Sequence, residues 1–314
     1  DNVGRFMTEY GMQSFPSVSM IHSFTHKKDR TLDSDVMNVH QKASLGTGNL
    51  MKYVEDYYLV NDDFNSVAGL SQIMQAEAIR FAVEAHRRNM PYCMGTLYWQ
   101  FNDCWPVISW SSIDYGGNWK ALHYAARKFF SPLLLSIRDL DDKIEIHVIN
   151  DQHHEVESRI RLGLFNLNGD ILFNDLSEIN VGPFSSTIYS VFDKNDLLGG
   201  VDLSAIVFRG ELLVGGKVLS RAHQFFKRPK YLSIQPPEFD YEIERVSGKY
   251  VITVKSKSFL CQLHLISIKV RGVFSDNYFD MLPGEVQMID FEPSENKELK
   301  KSDLRVRTLY EMMN

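Results

Sequence analysis

The hydrophobic period of this chain changes once, at Pro132, and the change separates two regions of different fold class. Before Pro132, apolar side chains recur every three or four positions in residues 66–89 and 118–130, which predicts two amphipathic helices. A short apolar run at 92–101 lies between them and is typical of a buried strand. After Pro132 the helical period ends, and short stretches alternate apolar and polar side chains, which predicts β-strands.

Residues 1–132 follow the order strand, long excursion, helix, strand, helix, which is typical of a parallel α/β fold. Residues 5–16 are predicted to form the first strand and the tight turn in which it ends. The excursion over 24–65 contains two short predicted helices, at 33–43 and 49–59. The apolar stripe of the helix at 66–89 consists of Leu70, Met74, Ala78, Phe81 and Ala85. We expect this stripe to be buried.

The remainder of the chain predicts two antiparallel β-sandwiches. Alternating runs between 133 and 230 are separated by Asn168-Gly169 and Gly215-Gly216, which are hairpin signals. About a hundred residues of this pattern is typical of an immunoglobulin-like sandwich. A second set of strands follows over 231–314 and predicts a smaller sandwich of the same kind. The predicted fold class is therefore multidomain, α/β followed by all-β.

Composition excludes several classes of protein. With 44% hydrophobic and 24% charged residues, the chain has the composition of a folded globular protein. It has no apolar run of 18 residues and no basic run, and its net charge is −6, so we expect neither a membrane nor a nucleic-acid partner. Its three cysteines are too few and too scattered for a disulfide framework or a zinc site.

Glu9 is the first candidate for chemistry. Strand alternation places it on one face with Arg5 and Met7, at the carboxyl end of the first predicted strand. In parallel α/β folds that end carries the active site. A carboxylate at a strand end is more often simply solvated, and spacing alone leaves both interpretations open.

Aromatic residues mark the second candidate segment. Three tryptophans lie within residues 99–110, next to Asn102 and Asp103. Sugars present apolar C–H faces rimmed by hydroxyls, so an aromatic platform beside amides and carboxylates suits them. We interpret Trp105 and Trp110 as packing beneath the helix that follows, and Trp99 as the candidate sugar platform.

Three segments together resemble glycoside hydrolase family 2, and specifically its β-mannosidase branch. They read TEYGMQSFP at 8–16, GTLYWQFND at 95–103 and DYGGNWKALHY at 114–124. The resemblance implies that residues 1–132 are the C-terminal portion of a (β/α)₈ TIM barrel, its seventh and eighth strand–helix units. Two immunoglobulin-like β-sandwiches, 133–230 and 231–314, would then follow the barrel, as they do in that family.

The resemblance also implies a chemistry. Glu9 matches the family's catalytic nucleophile, Trp99 matches a tryptophan of the sugar-binding subsite, and Asn102 and Asp103 match flanking positions with a supporting role. The implied activity is retaining exo-hydrolysis of terminal, non-reducing β-D-mannose from oligosaccharides or glycoconjugates. In retaining enzymes the nucleophile and the acid/base carboxyl lie about 5–5.5 Å apart. No metal and no organic cofactor is implied, and the resemblance allows a periplasmic, extracellular or lysosomal location.

One part of the family pattern is missing. The family's acid/base is a glutamate that follows an asparagine, well upstream of the nucleophile, and no Asn-Glu pair occurs in these 314 residues. We therefore expect the chain to be a piece of a longer protein, inactive by itself, and prone to self-association through barrel edges exposed around Met7 and Leu97. The i, i+4 pair His22 and His26 lacks the other ligands of a metal site.

Two other functions fit the same residues. β-Galactosidase and β-glucuronidase activity share the implied fold and nucleophile, and the residues themselves do not distinguish one sugar from another. A non-catalytic carbohydrate-binding protein could use Trp99 as a platform and Glu9 as a hydrogen-bond acceptor. The residue at the upstream acid/base position separates this binding function from the enzymatic one.

Overall fold

The computed structural model describes residues 3–314. Its helices are α1 (Val18–Phe24), α2 (Asp35–Val39), α3 (Gly46–Tyr57), α4 (Phe64–Arg88), α5 (Ala121–Phe129), α6 (Lys194–Leu198) and α7 (Leu309–Met313). Its strands are β1 (Leu133–Asp139), β2 (Lys143–Asn150), β3 (Val156–Asn166), β4 (Ile171–Val181), β5 (Ser185–Asp193), β6 (Ile206–Val214), β7 (Lys217–Gln224), β8 (Phe239–Val246), β9 (Lys249–Ser256), β10 (Leu260–Ser267), β11 (Gly272–Phe274), β12 (Phe279–Met281), β13 (Val286–Pro293) and β14 (Leu304–Arg307). None of the helices within residues 3–314 has the length and apolarity to cross a bilayer.

The chain forms two compact units, and the region before β1 contributes to both. Unit 1 contains the described residues up to Tyr10, together with Ile79–Tyr98 and Ala126–Ser233. Unit 2 contains Gly11–Ala78, Trp99–Ala125 and Ile234–Asn314. Each unit therefore combines part of the predicted α/β region with one of the two β-rich regions.

Unit 1 contains an antiparallel β-sandwich, as predicted. One sheet has the strand order β1-β2-β5 and the other β4-β3-β6-β7. The core between the sheets is mostly aliphatic, and Leu135, Ile146 and Phe208 are fully buried in it. Gly215 and Gly216 form the β6–β7 turn with φ of +56° and +80°, a backbone conformation that β-branched and bulky residues rarely adopt.

Unit 2 contains the second sandwich. Its sheets have the orders β11-β13-β9-β8 and β12-β10-β14. The core includes Ile252, Leu263 and Phe291, all fully buried. Strand β14 and helix α7 were not predicted, because four and five residues are too few to establish a period.

The buried side of helix α4 differs in part from the predicted one. Leu70 and Met74 are buried as expected, but Phe81 is 71% exposed. The first turns of α4 are buried on nearly all sides, so Leu70 does not indicate which side the later turns bury. Those later turns bury the side that carries Ile79 and Val83, which lies opposite Phe81.

The two predicted strands of the α/β region are much shorter than expected. In unit 1, Met7 and Thr96 form a parallel bridge, with Met7 N–H donating to Gly95 O at 2.9 Å and Leu97 N–H to Met7 O at 2.8 Å. Met94 and Leu97 are more than half exposed, so the prediction of a buried strand over 92–101 is wrong. A parallel strand is buried only where a sheet continues on both sides and is covered on both faces. No closed barrel is formed within residues 3–314.

Candidate active site

Glu9 lies in unit 1, two residues after the parallel bridge at Met7, and its side chain is exposed. The next residue, Tyr10, is half-buried, and its hydroxyl forms a 2.5 Å hydrogen bond with Thr96 Oγ1. His86 packs its ring edge-on against Tyr10 and places Nδ1 2.8 Å from the same Thr96 oxygen. Burial raises the pKa of Tyr10 and lowers the pKa of His86, so both side chains are uncharged near pH 7. This uncharged cluster fixes the backbone beside Glu9.

Trp99 lies in unit 2 and leaves 47% of its surface exposed. Its main chain is held closely, because a Cβ added at Gly11 would overlap the carbonyl oxygen of Trp99. The following residue, Gln100, donates its N–H to Trp110 O at 3.1 Å, and its carbonyl accepts from Ser112 N–H at 3.0 Å. The peptide bond between Trp99 and Gln100 is cis. The two hydrogen bonds of Gln100 hold the backbone next to the exposed ring of Trp99.

Asn102 and Asp103 are adjacent in sequence but differ in exposure. Asn102 is exposed, whereas Asp103 is only 7% exposed. The carboxylate of Asp103 accepts hydrogen bonds from Ser109 Oγ at 2.7 Å, Ser111 Oγ at 2.5 Å and Gln100 Nε2 at 3.2 Å. Asn102 is thus free to reach a ligand, while Asp103 organises the segment around it.

Trp105 and Trp110, which we interpreted as packing residues, both lie close to other residues of unit 2. Trp105 stacks on His40 with ring centroids 5.1 Å apart. Trp110 is half-buried, and its Cδ1 atom would lie 2.9 Å from a Cβ at Gly11. Neither ring is as exposed as that of Trp99.

Sequence reasoning missed Lys120, which immediately precedes α5. Its side chain is completely buried, and burial lowers its pKa to about 7 against the opposing effect of Asp103 and Asp114. Nothing in the local pattern indicates that this lysine is buried. Its position in the segment DYGGNWKALHY, which the family resemblance had already singled out, was the only available signal.

The histidine pair of unit 2 forms no metal centre. His22 is exposed and places Nε2 3.3 Å from Asn65 Oδ1, and His26 is exposed as well. Across residues 3–314, no group of three or more His, Cys, Asp and Glu side chains has an arrangement that could hold a metal ion.

Two protein-family profiles match the two regions of the chain that form the β-sandwiches. Residues 142–231 match the family profile described as the mannosidase Ig/CBM-like domain. Residues 234–312 match the profile of the Ig-fold domain of mannosidases.

Similar full-length proteins are also known. The chain is 29% identical to β-mannosidase A of Aspergillus oryzae, over 94% of this chain and 36% of the relative, and 28% identical to β-mannosidase of Capra hircus, over 95% and 36%. The crystal structure of β-D-mannosidase from Dictyoglomus thermophilum superimposes with a TM-score of 0.88 and 26% identity, over 97% of this chain and 37% of that one. Exo-chitosanase CsxA of Amycolatopsis orientalis shares the fold, with a TM-score of 0.74 and 16% identity, over 97% of this chain and 41% of that one.

The chain thus spans a little more than a third of the length of the curated relatives it matches. Sequence similarity, the two domain profiles and the structural superposition all indicate the same group of glycoside hydrolases. Over more than nine-tenths of its length the chain is a homologue of the β-mannosidases, and it contains two of their immunoglobulin-like domains.

Proposed function

We propose that the protein containing these residues is a retaining exo-β-mannosidase of glycoside hydrolase family 2, with Glu9 as its nucleophile. The observation that carries the proposal is the similarity to β-mannosidases over 94% to 97% of the chain. The exposed carboxylate of Glu9, just past the parallel bridge at Met7, supports the assignment of the nucleophile. The substrate class is terminal, non-reducing β-D-mannose on oligosaccharides or glycoconjugates.

Glu9 would act by covalent catalysis. A carboxylate oxygen of Glu9 forms a bond to the anomeric carbon while the bond to the leaving oxygen breaks, and that oxygen takes a proton from a second carboxyl group. Water then hydrolyses the glycosyl–enzyme ester and inverts the carbon a second time, so the configuration is retained. In the family pattern this second carboxyl group belongs to a glutamate that follows an asparagine. These 314 residues contain no Asn-Glu pair, so we propose that the acid/base lies in another part of the protein.

The remaining residues would bind the sugar. The exposed indole of Trp99 can stack on the C–H face of a pyranose, and the exposed amide of Asn102 can hydrogen-bond to a hydroxyl. Asp103 is buried under three donors, so its role is to support this segment.

We also propose that residues 1–132 are the seventh and eighth strand–helix units of a (β/α)₈ barrel. The parallel bridge between Met7 and Thr96, with helix α4 lying between these two residues in the chain, supports this proposal. The exposure of Met94 and Leu97 is also what two strands without the rest of a barrel would give.

The proposal is tested with the protein at its full natural length and 4-nitrophenyl β-D-mannopyranoside. Glu9→Gln should lower kcat by at least about a thousandfold, because the covalent route is lost. The exposed carboxylate variant Glu298→Gln should leave kcat unchanged. With azide as an external nucleophile, Glu9→Ala should give the α-mannosyl azide.

The alternative functions give different results in the same assay. Faster hydrolysis of the matched β-galactoside or β-glucuronide would assign a different sugar to the same fold. Binding of mannose by the wild-type protein without any turnover would favour the non-catalytic, carbohydrate-binding function. Unchanged kcat in Glu9→Gln would remove Glu9 from the mechanism.

A further inference from the structure

Gln75 is a buried amide on the part of α4 that belongs to unit 2. Its side chain is 0% exposed, although glutamine is mostly exposed in folded proteins. A buried side-chain amide costs stability unless its N–H groups and its carbonyl oxygen are hydrogen-bonded. Both ends of this amide are bonded, and the partners come from two segments that lie far apart in the sequence. Gln75 therefore links these two segments.

The first of these segments contains Gly11, Met12 and Ser14. Gln75 Nε2 donates to Met12 O at 2.8 Å, and Ser14 Oγ donates to Gln75 Oε1 at 2.7 Å. The bond from Ser14 sets the orientation of the amide, because its oxygen end is the end that accepts. A Cβ added at Gly11, which precedes Met12, would overlap the carbonyl oxygen of Trp99. The amide thus holds a segment that lies against the backbone of Trp99.

The second segment continues the chain beyond the candidate sugar platform. Gln75 Nε2 also donates to Ser111 O at 3.3 Å. The two neighbours of Ser111 hold Gln100, the residue that follows the platform. Gln100 N–H donates to Trp110 O at 3.1 Å, and Ser112 N–H donates to Gln100 O at 3.0 Å. The same amide therefore also holds the segment that anchors the backbone after the platform.

We propose that Gln75 is a positioning residue for the sugar subsite, because one amide fixes both of the segments that contact the backbone at Trp99 and Gln100. Without it, two buried carbonyl oxygens lose a donor, and the two segments are free to shift relative to each other. The ligand served is a mannose-configured pyranoside, so the inference rests on the proposed function of Trp99. Gln75 is completely buried and acts on the sugar through Trp99.

The kinetic test uses the protein at its full natural length and measures kcat and KM for 4-nitrophenyl β-D-mannopyranoside. Gln75→Met keeps the length of the side chain and removes all of its hydrogen bonds. A displaced platform weakens ground-state and transition-state binding alike, so KM should rise about tenfold while kcat stays within about threefold. A lower Tm with unchanged KM would overturn the proposal and leave Gln75 a purely structural residue.

Gln72→Met is the matched control, because Gln72 lies about one turn earlier on α4 and is buried as well. Its bonds within the described part of the chain go to Phe15 O, Ala121 N and the Tyr278 hydroxyl. Gln72→Met should lower Tm as Gln75→Met does, and should leave KM at the wild-type value. An equal rise of KM in the two variants would contradict the inference, because a general loosening of α4 would then explain both.

Hydrogen exchange tests the positioning without any sugar. The N–H groups of Gln100 and Ser112, resolved by mass spectrometry in the full-length protein, should exchange about tenfold faster in Gln75→Met than in the wild type. The amides of β9, in the same unit, should keep their wild-type rates, and so should Gln100 and Ser112 in Gln72→Met. Wild-type exchange of both N–H groups in Gln75→Met would overturn the inference.

Two further outcomes have separate meanings. Absence of mannoside turnover in the wild-type protein contradicts the proposed function, and hydrogen exchange then decides whether Gln75 positions the segment. If Gln75→Met does not fold, Gln75→Glu and Ser14→Ala take its place, since the first removes both donors and the second frees the amide to rotate. Both should raise KM and speed exchange at Gln100. Wild-type values of KM and exchange in both variants would overturn the inference.

Discussion

Gly11 lies directly against the backbone of Trp99, the candidate sugar platform. A methyl group there would overlap the carbonyl oxygen of Trp99 and would lie 2.9 Å from Cδ1 of Trp110. Because the first of these atoms belongs to the backbone, the Trp99 segment itself would have to move. The position of Trp99 thus depends on a residue that has no side chain.

Gly11→Ala should therefore weaken both folding and sugar binding. We expect a loss of about 1–3 kcal/mol in unfolding free energy, the usual cost of overpacking. In the full-length protein we expect a higher KM for the mannoside. The matched control is Gly48→Ala in α3, where a Cβ meets nothing within 4 Å and should add about 0.5–1 kcal/mol of helix stability. Equal behaviour of the two variants in urea unfolding would contradict this account.

His264 makes the second sandwich sensitive to acid. Its ring is buried in unit 2 and stacks on Tyr278, with centroids 5.0 Å apart and planes 2° from parallel. Burial lowers the pKa of His264 to about 4, so the folded ring stays neutral at pH values where the unfolded ring is protonated. Between those two pKa values the unfolded state binds more protons than the folded state, and acid favours unfolding.

The stability of unit 2 should accordingly fall as the pH is lowered from about 6.5 to about 4, at up to about 1.4 kcal/mol per pH unit from this group. His264→Gln should lose this pH-dependent contribution to stability. The measurement is the shift of the urea unfolding midpoint between pH 7.5 and pH 5, compared between the wild type and His264→Gln. The exposed His153→Gln should retain the wild-type pH dependence. Parallel pH profiles for wild type and His264→Gln would rule out this assignment.

Sequence motifs alone singled out individual residues of the candidate site, and the roles given to those residues stay predictions. Glu9 and Trp99 stand in segments whose residue types already suggested chemistry, and both side chains are exposed in the structure. The burial of Asp103 could not be predicted, because its partners Ser109 and Ser111 lie six and eight residues further along the chain. Lys120 was missed because a charged residue next to a helix start is normally solvated.

At the scale of elements, unit 1 joins the last turns of α4 to β1 through a buried polar contact. Ser136 is completely buried, and its hydroxyl donates to Glu84 Oε2 at 2.6 Å. The same hydroxyl accepts from Arg88 NH1 at 2.6 Å. Glu84 and Arg88 are themselves largely buried and 3.7 Å apart, so Ser136 bridges a buried ion pair.

Ser136→Ala removes the hydroxyl group and both of its hydrogen bonds without adding atoms at this buried position. Two buried charged groups then lose a partner each, so unfolding free energy should fall by about 2–3 kcal/mol. The matched control Ser177→Ala, at an exposed position of β4, should change stability by less than about 0.5 kcal/mol. A Tm of the Ser136 variant that matches the wild type and the control would contradict the bridging role of Ser136.

The elements that were predicted correctly from the sequence are those formed by interactions between residues close together in the chain. The β3–β4 and β6–β7 hairpins of unit 1 were predicted, because alternation and turn glycines are local signals. The apolar run at 92–101 predicts a buried strand, and this prediction is wrong. Burial of a strand depends on neighbouring strands and helices, which the run itself does not specify. Helix α4 also begins two residues earlier than predicted, because the Asp63 carboxylate accepts from the N–H groups of Asn65 and Ser66.

At the scale of the whole molecule, unit 1 exposes a cluster of large apolar side chains around the parallel bridge. Phe6 is 52% exposed, Met94 58% and Leu97 56%. We propose that the 314-residue chain self-associates through this surface, because contiguous apolar area of this kind favours contact with a second copy. Sedimentation velocity should give a concentration-dependent oligomer, and replacing the three residues with serine should return the monomer. A strictly monomeric wild-type chain at tens of micromolar would refute this proposal.

The central claim is that Glu9 attacks the anomeric carbon of a mannoside, and trapping the intermediate tests it most directly. The full-length protein is incubated with an activated 2-deoxy-2-fluoro-β-mannoside, which allows the glycosyl–enzyme to form and slows its hydrolysis. The account predicts stoichiometric inactivation and one fluoromannosyl adduct on the peptide that contains Glu9. An adduct on a different carboxylate, or continued turnover of mannoside with none formed, would contradict it.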